Sequence, residues 1–571
     1  MKKQYLAGFL LGISVLVGLV CFIQFVSPRS ETGRQWILGL SATRIFVGFI
    51  FGGLLLFNVG AMFFVLIDLG PRQKTFKKKI SQFFADHYIS IMVTLHAALT
   101  LIGMFLLSMN RPVVHPLRFL VPFYVRLESL ITWIFIAGLL LLLLSRIVFA
   151  ETARNNPRLA RQDTILVGVS LFVATFLLYF YIAVRIGWVH DITYAFWDLL
   201  ARQFVNGKLY LENPPYSHDL TFYNGKWYVP MPPLAAILLM PIAYWVKPEN
   251  INTSYLSILF SAINGVLVFL ILRELAQRKW IELSSHGMFW LVVVFLFGTP
   301  QLWMGIDGRG WYISQILTVL FLALAVYTAL RTQSAWWSAT FIAIAMLARP
   351  NSLMTWPFVF AISMQILKEK HGNVEWKEVL KWVVKTIIPI AVAIIGLLSY
   401  NYLRFENFLD FGYTTVNAGK EIVSKVHIYG LFSPHFIPEN LFSMFFRMPR
   451  INWGATWSGI ANGGLWPIDP TSDGISMLLT TPPLLYLFHR YPKQWWILGA
   501  WAAILLNIGL LSFYSNTGAS QFGYRYVLDF IVPLLAMLAI TMGKKVPWHY
   551  LILVLISIVI NIYGAYWYMN R

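Results

Sequence analysis

The chain has 571 residues, of which 58% are hydrophobic and only 12% charged, more apolar surface than a water-soluble fold can bury. Its single cysteine, Cys21, excludes an intrachain disulfide and a thiolate metal cluster. The formal net charge of +20 is divided among short loops with no continuous basic face, which excludes a nucleic-acid partner and points to anionic membrane lipids.

Segments of about 20 apolar residues, enough for a helix to cross a bilayer core, recur along the chain. Tyr5 to Val26 follows Lys2 and Lys3, is long for a signal peptide and lacks a small-residue cleavage site, so it reads as a retained helix. With Ile45 to Leu69, Ile89 to Met109 and Leu130 to Phe149 it forms an N-terminal four-helix module, residues 1–160, of undefined role. The core, residues 161–403, begins with Ile165 to Gly187. The basic stretches Arg72 to Lys79 and Arg146 to Arg161 put the N-terminal side in the cytoplasm.

The fifth helix delivers the first long outer loop, residues 188–248, to the opposite face. Within it Asn224-Gly225 marks a hairpin turn. Leu234 to Val246 is short for a crossing and opens behind Pro230, Pro232 and Pro233, so it is expected as a helix lying in the interface. Ten crossings follow: Thr253 to Leu272, Met288 to Trp303, Tyr312 to Leu330, Trp336 to Leu347, Ser352 to Leu367, Val383 to Leu403, Ile475 to Phe488, Trp495 to Tyr514, Val527 to Met542 and His549 to Tyr566. A second outer region occupies residues 404–474, and residues 475–571 hold the last four helices, with the C-terminus outside. The expected fold is an all-α polytopic membrane protein with outer-face loops and surface helices, and the chemistry is expected outside, where the long loops are.

No P-loop, dinucleotide fingerprint or HExxH string occurs, which argues against ATP-driven transport, soluble nucleotide-sugar use and metalloprotease chemistry. A transporter or lipid flippase would show paired repeats and midplane charge. No internal repeat is evident, and Arg44 and Asn264 are the polar residues nearest mid-span.

The segment Asp191 to Pro233, "DITYAFWDLLARQFVNGKLYLENPPYSHDLTFYNGKWYVPMPP", places an acid past a membrane helix, then an amphipathic helix, then a proline-rich return. It resembles the first outer loop of the GT-C glycosyltransferases. The branch is that of the protein O-mannosyltransferases and aminoarabinose transferases, matched at Asp191 and at Pro232-Pro233-Leu234. "ARPN" at Ala348 to Asn351, "NYLRFENFLDFGY" at Asn401 to Tyr413 and "FGYRYVLDFIVP" at Phe522 to Pro533 extend the resemblance over Ile165 to Arg571.

The resemblance implies a GT-C-like core at the inner membrane. It implies further that such a core would move a sugar from a polyprenyl-phosphate donor to a hydroxyl of a glycan, lipid or protein acceptor at the outer face. Such transfer needs a base, a cation for the departing phosphate and exclusion of water. Asp191 is the expected base, with N-capping of the following helix as its structural alternative. Ile192 stands where many relatives carry a second carboxylate, so no essential metal or other cofactor is expected. Arg525, then Arg349, are expected at the donor phosphate, against a role as interfacial anchors. Arg309, with Asp307 in the glycine-flanked "WMGIDGRGWY", is expected to touch phosphate or sugar, against a plain tight turn. Asp198, seven residues after Asp191 and so on one helical face with it, is expected to hold the acceptor or to pair with Arg202. His218, Asp219 and Tyr413 complete the expected substrate-binding set. A lipid-linked polymer ligase, using a diphosphate carrier, is the remaining enzyme alternative.

Overall fold

The computed structural model of the chain describes residues 157–186, 195–248, 251–453, 466–470, 473–518, 520–543 and 546–569. The expected helices before residue 157, and Asp191 itself, lie outside the described residues. The chain divides into two compact units, Met1–Leu178 and Tyr179–Arg571. The division falls inside helix α1 (Pro157–Ile186).

In the second unit α2 (Trp197–Val205) buries Trp197, Leu200 and Ala201. An antiparallel ribbon of β1 (Thr221–Tyr223) and β2 (Lys226–Tyr228) follows. Its turn is the expected one, because Asn224 and Gly225 both adopt the left-handed conformation, φ 45° and 74°, that a two-residue hairpin requires. Helix α3 (Leu234–Trp245) buries Leu234, Ala236 and Leu239 and leaves Ile237, Leu238, Ile242 and Trp245 exposed, the two-sided apolar pattern of a helix lying against lipid.

The long helices come next. Helix α4 (Thr253–Gln277) is capped by Asn252, which accepts from the Ser254 backbone amide. The expected crossing Met288 to Trp303 is divided into α5 (Ser285–Phe297) and α6 (Gln301–Gly305). Gly298 and Pro300 cause the break, since proline at 300 has no amide to continue the ladder. A Cβ at Gly298 would also lie 2.7 Å from the Ser557 hydroxyl. Helix α7 (Gly310–Arg331) is the central one, packed against α4 and α8 (Ala335–Met346). A 3-10 turn, Pro350–Thr355, leads to α9 (Trp356–His371).

Helix α10 (Trp376–Phe405) exposes Val384, Ile387, Val392 and Ile395, an apolar face only lipid suits. The second outer region holds α11 (Lys420–Tyr429), α12 (Ile437–Phe445) and a two-residue pairing of β3 (Arg450–Ile451) with β4 (Ile468–Asp469). Ile475 to Phe488, expected as a crossing, is not one helix. It is the four-residue α13 (Met477–Thr480) followed by a 3-10 turn, Pro482–Leu487, because Pro482 and Pro483 donate no backbone hydrogen bond. Helices α14 (Trp495–Ser512), α15 (Ile531–Met542), reached through the 3-10 turn Arg525–Phe530, and α16 (Trp548–Met569) close the bundle.

Six described segments are long and apolar enough to cross a membrane. The protein is an all-α multi-pass membrane protein. Of the six, Arg525–Met542 has the most buried apolar window, 89%, against 33% for α10. The stretch that opens with Arg525 is therefore the most enclosed of the six.

Candidate functional site

The buried stretch Arg525–Met542 carries the centre of the candidate site. Asp529 is fully buried, and its carboxylate is saturated with donors. Oδ2 accepts from Arg349 Nε at 3.1 Å, Arg349 Nη2 at 2.9 Å and Asn351 Nδ2 at 2.9 Å. Oδ1 accepts from Gln315 Nε2 at 3.3 Å. An acid in an apolar bundle is tolerable only when paired in this way.

Gln315, fully buried on α7, bridges to the second arginine, accepting from Arg525 Nη1 at 3.1 Å. Arg525 Nε donates to the Gly518 carbonyl at 2.9 Å, and no carboxylate forms an ion pair with Arg525 among the described residues. The Tyr526 ring contacts both cations, its centroid 4.9 Å from the Arg349 guanidinium carbon and 4.8 Å from that of Arg525. Each contact falls within cation–π range.

The third expected arginine belongs to the same cluster. Arg309 Nη1 donates to the Tyr568 hydroxyl at 3.2 Å. Tyr568 and Tyr312 share a hydroxyl contact, and Tyr312 donates to the Ser520 carbonyl at 3.0 Å. The Arg525 guanidinium carbon sits 5.6 Å from the Tyr312 ring centroid. Asp307 is fully buried: Oδ1 accepts from the Arg309 amide at 2.9 Å and Oδ2 lies 3.7 Å from Arg309 Nε. Burial pushes the Asp307 carboxyl up to about 6, against the opposing pull of Arg309. The turn is fixed from both sides. Thr253 Oγ1 donates to the Gly308 carbonyl at 2.8 Å and Trp197 Nε1 to the Gly310 carbonyl at 2.9 Å. At Gly308 a Cβ would lie 2.3 Å from the Ser254 backbone nitrogen, so no other residue fits there.

Asp219 and Tyr413 approach from the outer loops. The backbone at Asp219 is left-handed, φ 61°, and is clasped by two hydrogen bonds, the Asp219 amide donating to the Asn417 carbonyl at 2.8 Å and the Asn417 amide to the Leu220 carbonyl at 2.7 Å. His218 Nε2 lies 3.7 Å from the Asp219 carboxylate. Burial raises the Asp219 carboxyl above its ordinary range, while His218 and Arg525 pull it back. The Tyr413 hydroxyl is raised by burial, opposed by the charges of Arg349 and Arg525. Both groups thus sense the arginine cluster.

Two expectations about the first outer loop fail. Ala195 and Phe196 are not helical and Phe196 is left-handed at φ 55°, so no helix runs from Asp191 to Asp198 and the shared face disappears. The N-cap of α2 is Phe196, which removes Asp191 as the cap of that helix. Arg202, the expected partner of Asp198, donates to the Ala243 carbonyl at 2.8 Å and the Tyr244 carbonyl at 3.4 Å, holding α2 to the C-terminal end of α3.

Sequence reasoning brought forward Arg309, Arg349 and Arg525 and missed the groups that hold them: Gln315, Asn351, Tyr312, Tyr526, Tyr568 and Asp529. It also passed over Arg404, buried at 2% exposure. That side chain donates to the Val229 carbonyl at 2.7 Å and to Asn401 Oδ1 at 2.9 Å, pinning the chain that follows the ribbon to α10. A usable signal existed for Asp529, an acid inside an apolar run, which demands a cationic partner.

Among the described residues no group of three or more His, Cys, Asp or Glu stands in an arrangement able to hold a metal ion. Compared with protein-family models, with curated proteins and with solved structures, the chain matches none.

Proposed function

We propose that the protein is a glycosyltransferase of the inner membrane that moves a sugar from a polyprenyl-phosphate donor to an acceptor hydroxyl at the outer face, with its N-terminus in the cytoplasm. The observation that carries the reading is the Arg525 guanidinium. It is 95% enclosed (5% exposed), held by a carbonyl and an amide oxygen instead of a carboxylate, and joined to two further arginines through Tyr526 and Tyr312. A cation kept charged inside an apolar bundle is suited to an anion delivered from the lipid phase.

In the reaction the acceptor oxygen bonds to the anomeric carbon as the carbon–oxygen bond to phosphate breaks. The electron pair leaves on the phosphate, where Arg525 offsets it. The acceptor proton goes to a carboxylate, and Asp191 keeps that role in this proposal on the strength of the sequence resemblance. Asp219, Asp307 and Tyr413 supply hydrogen-bonding groups for sugar and acceptor hydroxyls.

The test is transfer from radiolabelled polyprenyl-phosphate sugars to membrane acceptors by wild type and by Asp191→Asn at equal expression. Transfer that the variant loses supports the reading and the base. Transfer that persists in the variant moves the base elsewhere. Absence of transfer from every donor returns the protein to the transporter class.

A further inference from the structure

Arg349 and Arg525 both contact the Tyr526 ring, yet their surroundings differ in charge. Arg349 places Nε and Nη2 on a single carboxylate oxygen of Asp529, and Asn351 binds that same oxygen. Its charge is matched inside the protein. Arg525 has only neutral acceptors, the Gly518 carbonyl and the Gln315 amide oxygen. Among the described residues its second terminal nitrogen, Nη2, makes no hydrogen bond. The Gln315 side chain separates the two roles: its oxygen accepts from Arg525 while its nitrogen donates to Asp529 and, at 3.3 Å, to the Arg525 carbonyl. An amide can do both at once and a carboxylate cannot.

We propose that Arg525 alone of this pair grips the phosphate of the lipid ligand through Nη2, that Gln315 is a positioning residue that aims Arg525, and that Asp529 serves only to neutralise Arg349, outside the phosphate grip. This rests on the reading that the site takes a lipid phosphate, but it does not require that a sugar be transferred. It also revises the pairing expected from sequence, in which both arginines contact the donor. A guanidinium already neutralised by a hydrogen-bonded carboxylate has little net attraction left for a second anion, whereas one held by neutral oxygens retains its full charge.

The experiment is equilibrium binding of a short-chain polyprenyl phosphate to the full-length protein in nanodiscs, at several salt concentrations. The variants are Arg525→Gln, Arg349→Gln/Asp529→Asn and Gln315→Met. The double variant removes the matched pair and leaves the net charge unchanged. Arg525→Gln is expected to weaken binding at least about tenfold, which is about 1.4 kcal/mol, and to flatten the salt dependence. Arg349→Gln/Asp529→Asn is expected to stay within about threefold of wild type with the salt dependence kept. Gln315→Met is expected to weaken binding modestly, again with the salt dependence kept, because the charge remains and only its aim is lost.

Loss of binding in the double variant equal to that in Arg525→Gln would overturn the assignment, as would wild-type affinity in Arg525→Gln. If Arg525→Gln does not fold, the double variant decides alone, retention supporting the proposal and a tenfold loss refuting it. A wild type that binds no polyprenyl phosphate overturns both this inference and the transferase reading. Binding with the expected charge pattern but no sugar transfer leaves this inference standing and removes only the transferase.

Discussion

Two arginines, Arg349 and Arg404, are buried to different ends. Arg349 meets a carboxylate, Asp529, and the result is a neutral joint between the 3-10 turns Pro350–Thr355 and Arg525–Phe530. Arg404 meets oxygens that carry no formal charge, those of Val229, Tyr400 and Asn401, with the Tyr400 ring 3.8 Å and the Phe405 ring 4.6 Å from its guanidinium carbon. The first pairing removes a charge from the bundle, and the second uses a charge as a clamp between α10 and the chain after the ribbon. Arg525 resembles Arg404 in its uncharged partners, but it belongs to the candidate site, whereas Arg404 holds the chain that follows the ribbon. What an arginine contributes here is set by the charge of the group that holds it.

The buried pair is most sensitive to substitution at Asp529. Asp529→Ala strands Arg349 without its counter-ion and is expected to destabilise the protein by roughly 3–5 kcal/mol, since removing one partner of a buried pair leaves the other uncompensated. An apolar double replacement, Arg349→Met/Asp529→Leu, should recover most of that loss. Thermal unfolding of the purified protein checks both, and equal destabilisation in the single and double variants would refute the ion-pair account.

Asp307 gives the next effect. Its folded carboxyl titrates near 6 against an ordinary 3.8, so the folded state holds the proton more tightly than the unfolded state does. A raised acid costs nothing below about pH 4 and costs progressively more as pH rises through 6, to about 3 kcal/mol at most. Asp307→Asn should therefore melt close to wild type at pH 4 and higher than wild type at pH 7.5. A gap that does not widen between these values contradicts the burial argument.

Arg404→Met keeps the aliphatic stem and orphans the Val229 carbonyl, with an expected loss of about 1–3 kcal/mol. The loss should be local and readable as faster proteolysis of the chain around the ribbon. The smallest change is Gly225→Ala, at a left-handed position in the ribbon turn, costing about 1 kcal/mol. It should leave phosphate binding at Arg525 unaffected.

How much of this was legible beforehand depends on whether the signal was local. Asn224-Gly225 specified its turn through backbone sterics alone, and the crossings Thr253 to Leu272 and Tyr312 to Leu330 lie inside α4 and α7. Three arginines were legible because charge in an apolar chain is conspicuous. Their partners were not, because Arg349 and Asp529 are 180 positions apart and Arg525 and Gln315 are 210 apart, and spacing carries no information about such contacts. At Ile475 to Phe488 the break is legible in the sequence, since Pro482-Pro483 interrupts helical hydrogen bonding whatever the apolar content around it. The break before Asp198 is not, since nothing in "TYAFWD" shows that Phe196 adopts a left-handed backbone.

The central question is whether Arg525 serves a lipid phosphate whose sugar is transferred. Reconstituted wild type and Arg525→Gln, matched for folding, should be compared for sugar transfer from radiolabelled polyprenyl-phosphate donors supplied in the same vesicles. Expected are transfer by wild type and a fall of at least about tenfold in kcat/KM for the donor in the variant. Equal transfer by the two proteins would contradict the site, and no transfer by wild type would contradict the function.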